Sequence, residues 1–238
     1  MDTDINNTVR VGVLAIQGAF IEHNEMLTRA AKQLGCEARV HIIDVREPDQ
    51  LSDLTGLVIP GGESTTMSLF LGQNGFAELL KSWVERGIVL GTCAGLILLS
   101  NQLEGQKQGG QALIGGLDIT ASRNSFGRQV DSFEATLKLK ETGLYSNQSS
   151  SAIRSLAPLS YSQCSAQSDE YHGIFLRAPK ILSVNNPEVK VLAEMESEGR
   201  AVPVAVQQGK LMATCFHPEL TTDSRWHCYF LKMCMHLV

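Results

Sequence analysis

The tightest constraint in the chain is the stretch Gly91-Thr92-Cys93-Ala94-Gly95. The apolar and β-branched run Ile88-Val89-Leu90 leads into it and Leu96-Ile97-Leu98-Leu99 leads out, so a buried strand must turn abruptly into a helix at Cys93. So sharp a turn brings backbone close on both flanks, and only residues without a Cβ fit there. Gly-x-nucleophile-x-Gly is the spacing of a nucleophile elbow, where the first amides of the helix surround the reactive atom and favour negative charge on it. A buried structural cysteine is the alternative reading. The two flanking glycines weigh against it.

Strand and helix patterns alternate on both sides of the elbow. Val9–Ile16 reads as a buried parallel strand, followed from about Ile21 by a helix with Met26, Leu27, Ala30, Ala31 and Leu34 at helical spacing and Gly35 as its stop. Val40–Ile43 and Gly56–Ile59 are the next strands, with His41 exposed or at the core edge. Phe76–Arg86 is a helix expected to turn Leu79, Leu80, Trp83 and Val84 inward. This alternation specifies an α/β fold: a single three-layer domain over 1–238, with a mostly parallel central sheet and helices on both faces. Beyond the elbow helix the pattern becomes β-rich. Leu137–Leu139, Ile174–Leu176, Val189–Ala193, Pro203–Val206 and Leu211–Phe216 are expected to join the same sheet or form a small antiparallel flap. A final amphipathic helix, Ser224–His236, directs Trp226, Tyr229, Phe230, Met233 and Leu237 to the core; its Cys228, Cys234, His227 and His236 are read as packing or exposed groups. The segment from about 141 to 170 carries nine serines and little periodic hydrophobicity, and reads as a flexible surface insertion.

Composition narrows the function. A length of 238 residues with 43% hydrophobic content supports a large core, while a net charge of −5 without clustered Lys and Arg argues against nucleic acid. No apolar run approaches the ~18 residues of a membrane span, and the polar Met1–Thr8 resembles no targeting leader, so a cytoplasmic protein is expected. Six cysteines without a C-x-x-C pair point to free thiols and no metal site.

A thiolate needs a base, and the base needs an acceptor that fixes its tautomer. His217-Pro218-Glu219 supplies both, at the end of the Leu211–Phe216 strand. In an extended segment positions i and i+2 share a face, so Glu219 is expected to reach the imidazole from the side away from the sulfur. Cys215 shares that face and is read as core packing. Pro60-Gly61-Gly62-Glu63-Ser64 follows a third strand, and the Gly62 N–H could join the Ala94 amide in an oxyanion hole. A phosphate-cradling loop would need a lysine beside the Ser or Thr, or G-x-G-x-x-G, and neither is present. All three segments follow strands, and open α/β sheets hold their sites at the carboxyl ends of strands.

These motifs carry a family resemblance. Gly-Thr-Cys-Ala-Gly, His-Pro-Glu and the glycine-rich loop resemble class I, triad glutamine amidotransferases, whose fold is flavodoxin-like. Leu14–His23, Pro60–Thr66, Gly116–Asp118, Arg123–Glu134 and Leu176–Pro179 resemble the glutaminase subunits of pyridoxal 5′-phosphate synthases. The resemblance implies hydrolysis of L-glutamine by Cys93, His217 and Glu219, and glutamine contacts from Gly62, Glu63, Ser64, Arg123, Leu176 and Arg177. It implies no cofactor. It also implies delivery of ammonia to a separate (β/α)₈ synthase subunit in a large hetero-oligomer, and a nearly silent isolated subunit. Gln17 and His23 are the candidates for contact with, and activation by, that partner, through the Gly61-Gly62 peptide. Arg123 or Arg177 suits the α-carboxylate of free glutamine. The serine-rich segment departs from the shorter link of bacterial members. A cysteine peptidase-like hydrolase on the same type of elbow is the alternative, but a peptidase needs an open groove and tolerates a neutral amide as third member, whereas this chain offers a carboxylate and a small arginine-bearing pocket; a silent scaffold is a third reading, against which the complete Cys93, His217 and Glu219 set argues.

Overall fold

A computed structural model describes residues 8–73, 75–105, 111–123, 132–144 and 168–236. Among these residues lie twelve strands, which alternate with helices up to the elbow and then largely follow one another. In chain order they are β1 (Val9–Leu14), α1 (Phe20–Gln33), β2 (Val40–Val45), β3 (Gly56–Ile59), α2 (Ser64–Leu71), α3 (Phe76–Val84), β4 (Ile88–Thr92), α4 (Ala94–Leu99) and β5 (Ser100–Glu104). They continue with β6 (Leu117–Ser122), β7 (Ser132–Leu139), β8 (Glu170–Leu176), β9 (Lys180–Val184), β10 (Lys190–Ser197), β11 (Arg200–Gln208), β12 (Leu211–Thr214) and α5 (Arg225–Cys234).

The main sheet has the order β2-β1-β3-β4-β12-β11-β10-β7-β8. From β2 to β12 the neighbours are parallel, and from β12 to β8 they are antiparallel. The strands of the second half extend the main sheet, as expected. They also build a separate sheet, β5-β6-β9. The parallel strands β3 and β4 are buried at every position, which is why they read as unbroken apolar runs. Helices α1 and α5 pack on each other, and α2 packs on α3 and α4.

Local sequence explains most of these elements. Helix α1 buries Met26, Leu27, Ala30 and Ala31 on one stripe, and Gly35 follows its end at φ +61°. Helix α3 buries Phe76, Leu80, Trp83 and Val84; Leu79, expected inward, is 54% exposed because it lies at the edge of that stripe. Residues 145–167, most of the serine-rich segment, lie outside the described residues. Its ends are ordinary structure: Leu144 is buried, and Arg225 Nη1 donates to the Ser168 carbonyl at 2.7 Å. No helix among the described residues is long and apolar enough to cross a membrane.

Register sets the position of the site. Thr92 at the end of β4 lies opposite Thr214 at the end of β12, and Gly91 lies opposite Ile59 at the end of β3. Three chain segments therefore leave the sheet side by side: Pro60-Gly61-Gly62 after β3, Cys93 after β4, and Cys215-Phe216-His217 after β12. Phe216 is wedged against Trp226, Tyr171 and Phe175, at ring-centroid distances of 5.3, 5.7 and 5.7 Å. Each such pair adds about 0.5–1.5 kcal/mol beyond burial, so the backbone carrying His217 is firmly seated.

Candidate active site

Cys93 sits at φ 49° and ψ −100°, a conformation sparsely populated by residues with a side chain. Its N–H donates to the Thr214 carbonyl at 2.8 Å, which ties the elbow to β12. The flanking glycine is sterically required: a Cβ on Gly95 would lie 2.1 Å from the Ile59 carbonyl oxygen. Sγ lies 3.9 Å from the carbonyl of Leu176, which can accept a thiol proton.

The expected base stands beside it. The His217 N–H donates to the Ile174 carbonyl at 2.8 Å, and its Nδ1 lies 2.7 Å from Glu219 Oε1. The geometry differs from the expected extended strand. Pro218–Leu220 is a 3₁₀ turn with His217 at its N-cap, because proline suits the first position of a helical turn. The turn still brings Glu219 to the side of the ring away from the sulfur, leaving Nε2 to face Cys93. Burial opposes a charge on the ring. The hydrogen bonds to Cys93 and Glu219 and the negative charge of both outweigh it, so the His217 pKa is pushed up to about 10. Burial likewise opposes ionisation of Glu219, but the hydrogen bond and charge of His217 hold its carboxyl below the usual carboxylate range. Cys215 is fully buried and its thiol is pushed up by that burial, as a packing group should be.

The glycine-rich loop closes the site from β3. A Cβ on Gly61 would lie 2.4 Å from His217 Cε1 and 3.3 Å from Cys93 Cβ, so this backbone runs directly against the pair. The Gly61 N–H donates to Thr92 Oγ1 at 3.0 Å, and the Gly61 carbonyl accepts from the Ala19 N–H at 3.1 Å. Because the peptide is planar and trans, the Gly62 N–H points away from the Gly18-Ala19 turn. Gln17 Oε1 accepts from the Glu63 N–H at 2.8 Å. The segment after β1 thus grips the loop at two places.

Several site residues expected from sequence take other tasks. The Glu63 carboxylate, expected at the substrate, caps α2 by accepting from the Thr65 and Thr66 N–H groups at 3.1 and 2.7 Å. Burial opposes its charge, but these bonds prevail and hold its pKa at about 2. The Ser64 hydroxyl donates to Gln111 Oε1 at 3.0 Å. Arg123 Nη1 donates to Thr65 Oγ1 at 3.1 Å, placing the guanidinium at the first turn of α2. Leu176 ends β8 with its carbonyl facing Cys93, and Arg177, the next residue, is exposed at a left-handed φ of 43°. His23 is the clear correction. It was expected at a partner surface, yet it is fully buried, with Nε2 3.3 Å from Glu219 Oε2 and 3.0 Å from Thr92 Oγ1. It lies on the inward stripe of α1, a turn before Leu27. His227, read only as packing or exposure, is buried against it, with Nε2 2.9 Å from His23 Nδ1. A histidine in phase with an apolar stripe was the available signal for both.

Comparison with known proteins agrees with the geometry. Residues 13–236 match the SNO glutamine amidotransferase family. The probable pyridoxal 5′-phosphate synthase subunit PDX2 of Arabidopsis thaliana is 42% identical over 94% of this chain and 85% of its own length. The pyridoxal 5′-phosphate synthase subunit PdxT of Thermococcus onnurineus is 40% identical over 94% of this chain and 98% of its own. A crystal structure described as a glutamine amidotransferase superposes with a TM-score of 0.69 at 36% identity, over 94% of this chain and 98% of that one.

Proposed function

This chain belongs to the SNO glutamine amidotransferase family, and on that premise we propose that it hydrolyses L-glutamine to L-glutamate and ammonia as the glutaminase subunit of a pyridoxal 5′-phosphate synthase. The observation that carries the reading is the placement of Cys93 and His217 at the ends of paired strands, with Glu219 on the far nitrogen of the ring.

The Cys93 thiolate attacks the side-chain amide carbon of glutamine, forming a C–S bond and a tetrahedral oxyanion. The Ala94 and Gly62 N–H groups face that oxygen. His217, charged at neutral pH, gives its proton to the amide nitrogen as the C–N bond breaks, and ammonia leaves behind a γ-glutamyl thioester. Neutral His217 then takes a proton from water as the water oxygen attacks the thioester. Breakage of the C–S bond releases glutamate and restores the thiolate and imidazolium pair. Glu219 holds the ring in the Nδ1–H form throughout. Arg123 and Arg177 are the candidates for the α-carboxylate of glutamine, beside Leu176, Gly62 and Ser64; Glu63 acts by shaping the loop.

Ammonia released here has value only to an acceptor enzyme, and the relatives' names place them in a synthase. The partner is a (β/α)₈ synthase subunit in a large hetero-oligomer, in the cytoplasm. Ile21, 57% exposed at the start of α1, lies on the side of the catalytic edge and suits such a docking surface. The test is glutamate release from L-glutamine by the chain alone and with a cognate synthase subunit, beside a generic peptide substrate. Glutamate release that rises with the partner supports the reading; peptide cleavage without glutaminase activity overturns it.

A further inference from the structure

Behind the candidate triad lies a second, fully buried layer that the chemistry above does not use. Glu219 presents its two oxygens to two different imidazoles: Oε1 to His217 Nδ1 at 2.7 Å, and Oε2 to His23 Nε2 at 3.3 Å. His23 Nε2 also lies 3.0 Å from Thr92 Oγ1, the same oxygen that accepts the Gly61 N–H at 3.0 Å. On its other side His23 Nδ1 faces His227 Nε2 at 2.9 Å. His23, Thr92 and His227 are each 0% exposed.

These contacts select one arrangement of protons. Both buried histidines are pushed toward the neutral form by desolvation, His227 down to about 3, so each ring carries one proton. What His23 offers Glu219 is therefore an N–H dipole and not a charge. If its proton sat on Nδ1, a bare Nε2 lone pair would face the Glu219 carboxylate at 3.3 Å, a repulsive contact with no water to screen it. The proton belongs on Nε2, donated to Thr92 Oγ1 at 3.0 Å with its positive end also facing Glu219 Oε2 at 3.3 Å. His23 Nδ1 then accepts, and His227 must supply its Nε2–H. Within this cluster His227 Nδ1 has no hydrogen-bond partner among the described residues, and Glu219 Oε2 has only the 3.3 Å contact with His23 Nε2. A bare acceptor is a more tolerable orphan than a buried N–H.

We propose that His23, held in its Nε2–H form by His227, is a positioning residue that ties the Glu219 carboxylate to the Gly61-Gly62 loop through Thr92. One ring then sets both the orientation of the base and the seat of the oxyanion loop, so substrate hydrolysis needs α1 and α5 in register. The inference rests on the triad reading, and the experiment separates the two.

Glutamine hydrolysis by the complex with the synthase subunit is measured for His23→Leu, Glu219→Gln and the double variant, with kcat and KM read separately. His23→Leu is expected to lower kcat between about 10- and 10²-fold, because small misplacements of catalytic groups cost that much, with KM within about twofold. Because both single variants cut the same Glu219–His23–Thr92 tie, the double variant is expected to lose less than the product of the two single losses. Multiplication of the two losses overturns the proposal. His227→Gln, which can keep a donor toward His23, should lose less than His227→Leu; equal losses would reduce His227 to packing and overturn its part. Nitrogen-15 spectra of the histidine rings in the full wild-type chain require no variant to fold. They are expected to show His23 and His227 both protonated at Nε2, and a proton on His23 Nδ1 overturns the assignment. A Cys93→Ala complex that still hydrolyses glutamine would sink the triad reading itself, whereas an inactive one beside multiplying His23 and Glu219 losses would sink only the positioning role.

Discussion

Replacing Glu219 with glutamine removes one negative charge and keeps the shape of the side chain. That charge sits 2.7 Å from His217 Nδ1, with both groups out of water, and with Cys93 it overrides the burial that would otherwise keep the ring neutral. Without it, burial draws the His217 pKa down from about 10, so the imidazolium needed to protonate the leaving ammonia is lost at lower pH. A hydrogen bond to a charged group contributes about 1.5–3 kcal/mol. Since about 1.4 kcal/mol is tenfold in rate, the expected loss in kcat is between about 10- and 10²-fold. The assay is glutamate release by the complex from neutral to alkaline pH, with circular dichroism to check folding. The alkaline limb of the kcat profile should move to lower pH in Glu219→Gln. A folded variant with wild-type kcat and an unmoved limb refutes the coupling. A loss as complete as that of Cys93→Ala would mean that Glu219 is structural.

Gly95→Ala places a methyl group 2.1 Å from the Ile59 carbonyl oxygen, so β3 and α4 must separate; denaturant unfolding should show a loss of about 1–3 kcal/mol or more, and an unchanged midpoint would contradict the tight elbow. Deleting residues 147–167 while keeping Ser168, whose carbonyl holds Arg225, should leave glutaminase activity nearly unchanged, since the segment is polar in sequence and carries no periodic apolar residues to tie it into a core; lost activity would show that the segment supports the Leu176-Arg177 turn. Gln17→Ala removes the acceptor of the Glu63 N–H and loosens the Gly61-Gly62 peptide. If the partner activates the subunit by holding that peptide, the complex of Gln17→Ala should lose about 10²- to 10³-fold, the worth of one oxyanion donor, and an unaffected kcat and assembly would place the switch elsewhere.

The parallel half of the fold was legible because its strands are buried on both faces and its helices carry clean apolar stripes, as in β4 and α1. The elbow and the His-Pro-Glu segment were legible for the same reason: chemistry at the end of a buried strand leaves glycines and prolines at fixed spacing. Pairing of β10 with β7 was not, because which antiparallel strands meet is decided by contacts distant in sequence. Helix α2 was hidden by its cap. Glutamate at position 63 stands where Ser, Thr, Asp or Asn usually announces a helix, and the preceding glycines read as loop. His23 was legible as a motif residue but placed on the wrong side of the helix. Its neighbours in phase, Met26, Leu27 and Ala30, are all buried, and that pattern outweighs its polarity.

The central claim is that Cys93 is the nucleophile of a glutaminase. It is tested most directly by Cys93→Ala in complex with the synthase subunit, supplied first with glutamine and then with an ammonium salt. Cys93 lines the site at a strand end and its removal leaves the apolar core untouched, so the variant should fold, bind the partner, release no glutamate, and still support cofactor synthesis from ammonium. Glutamate release at the wild-type rate would contradict the account.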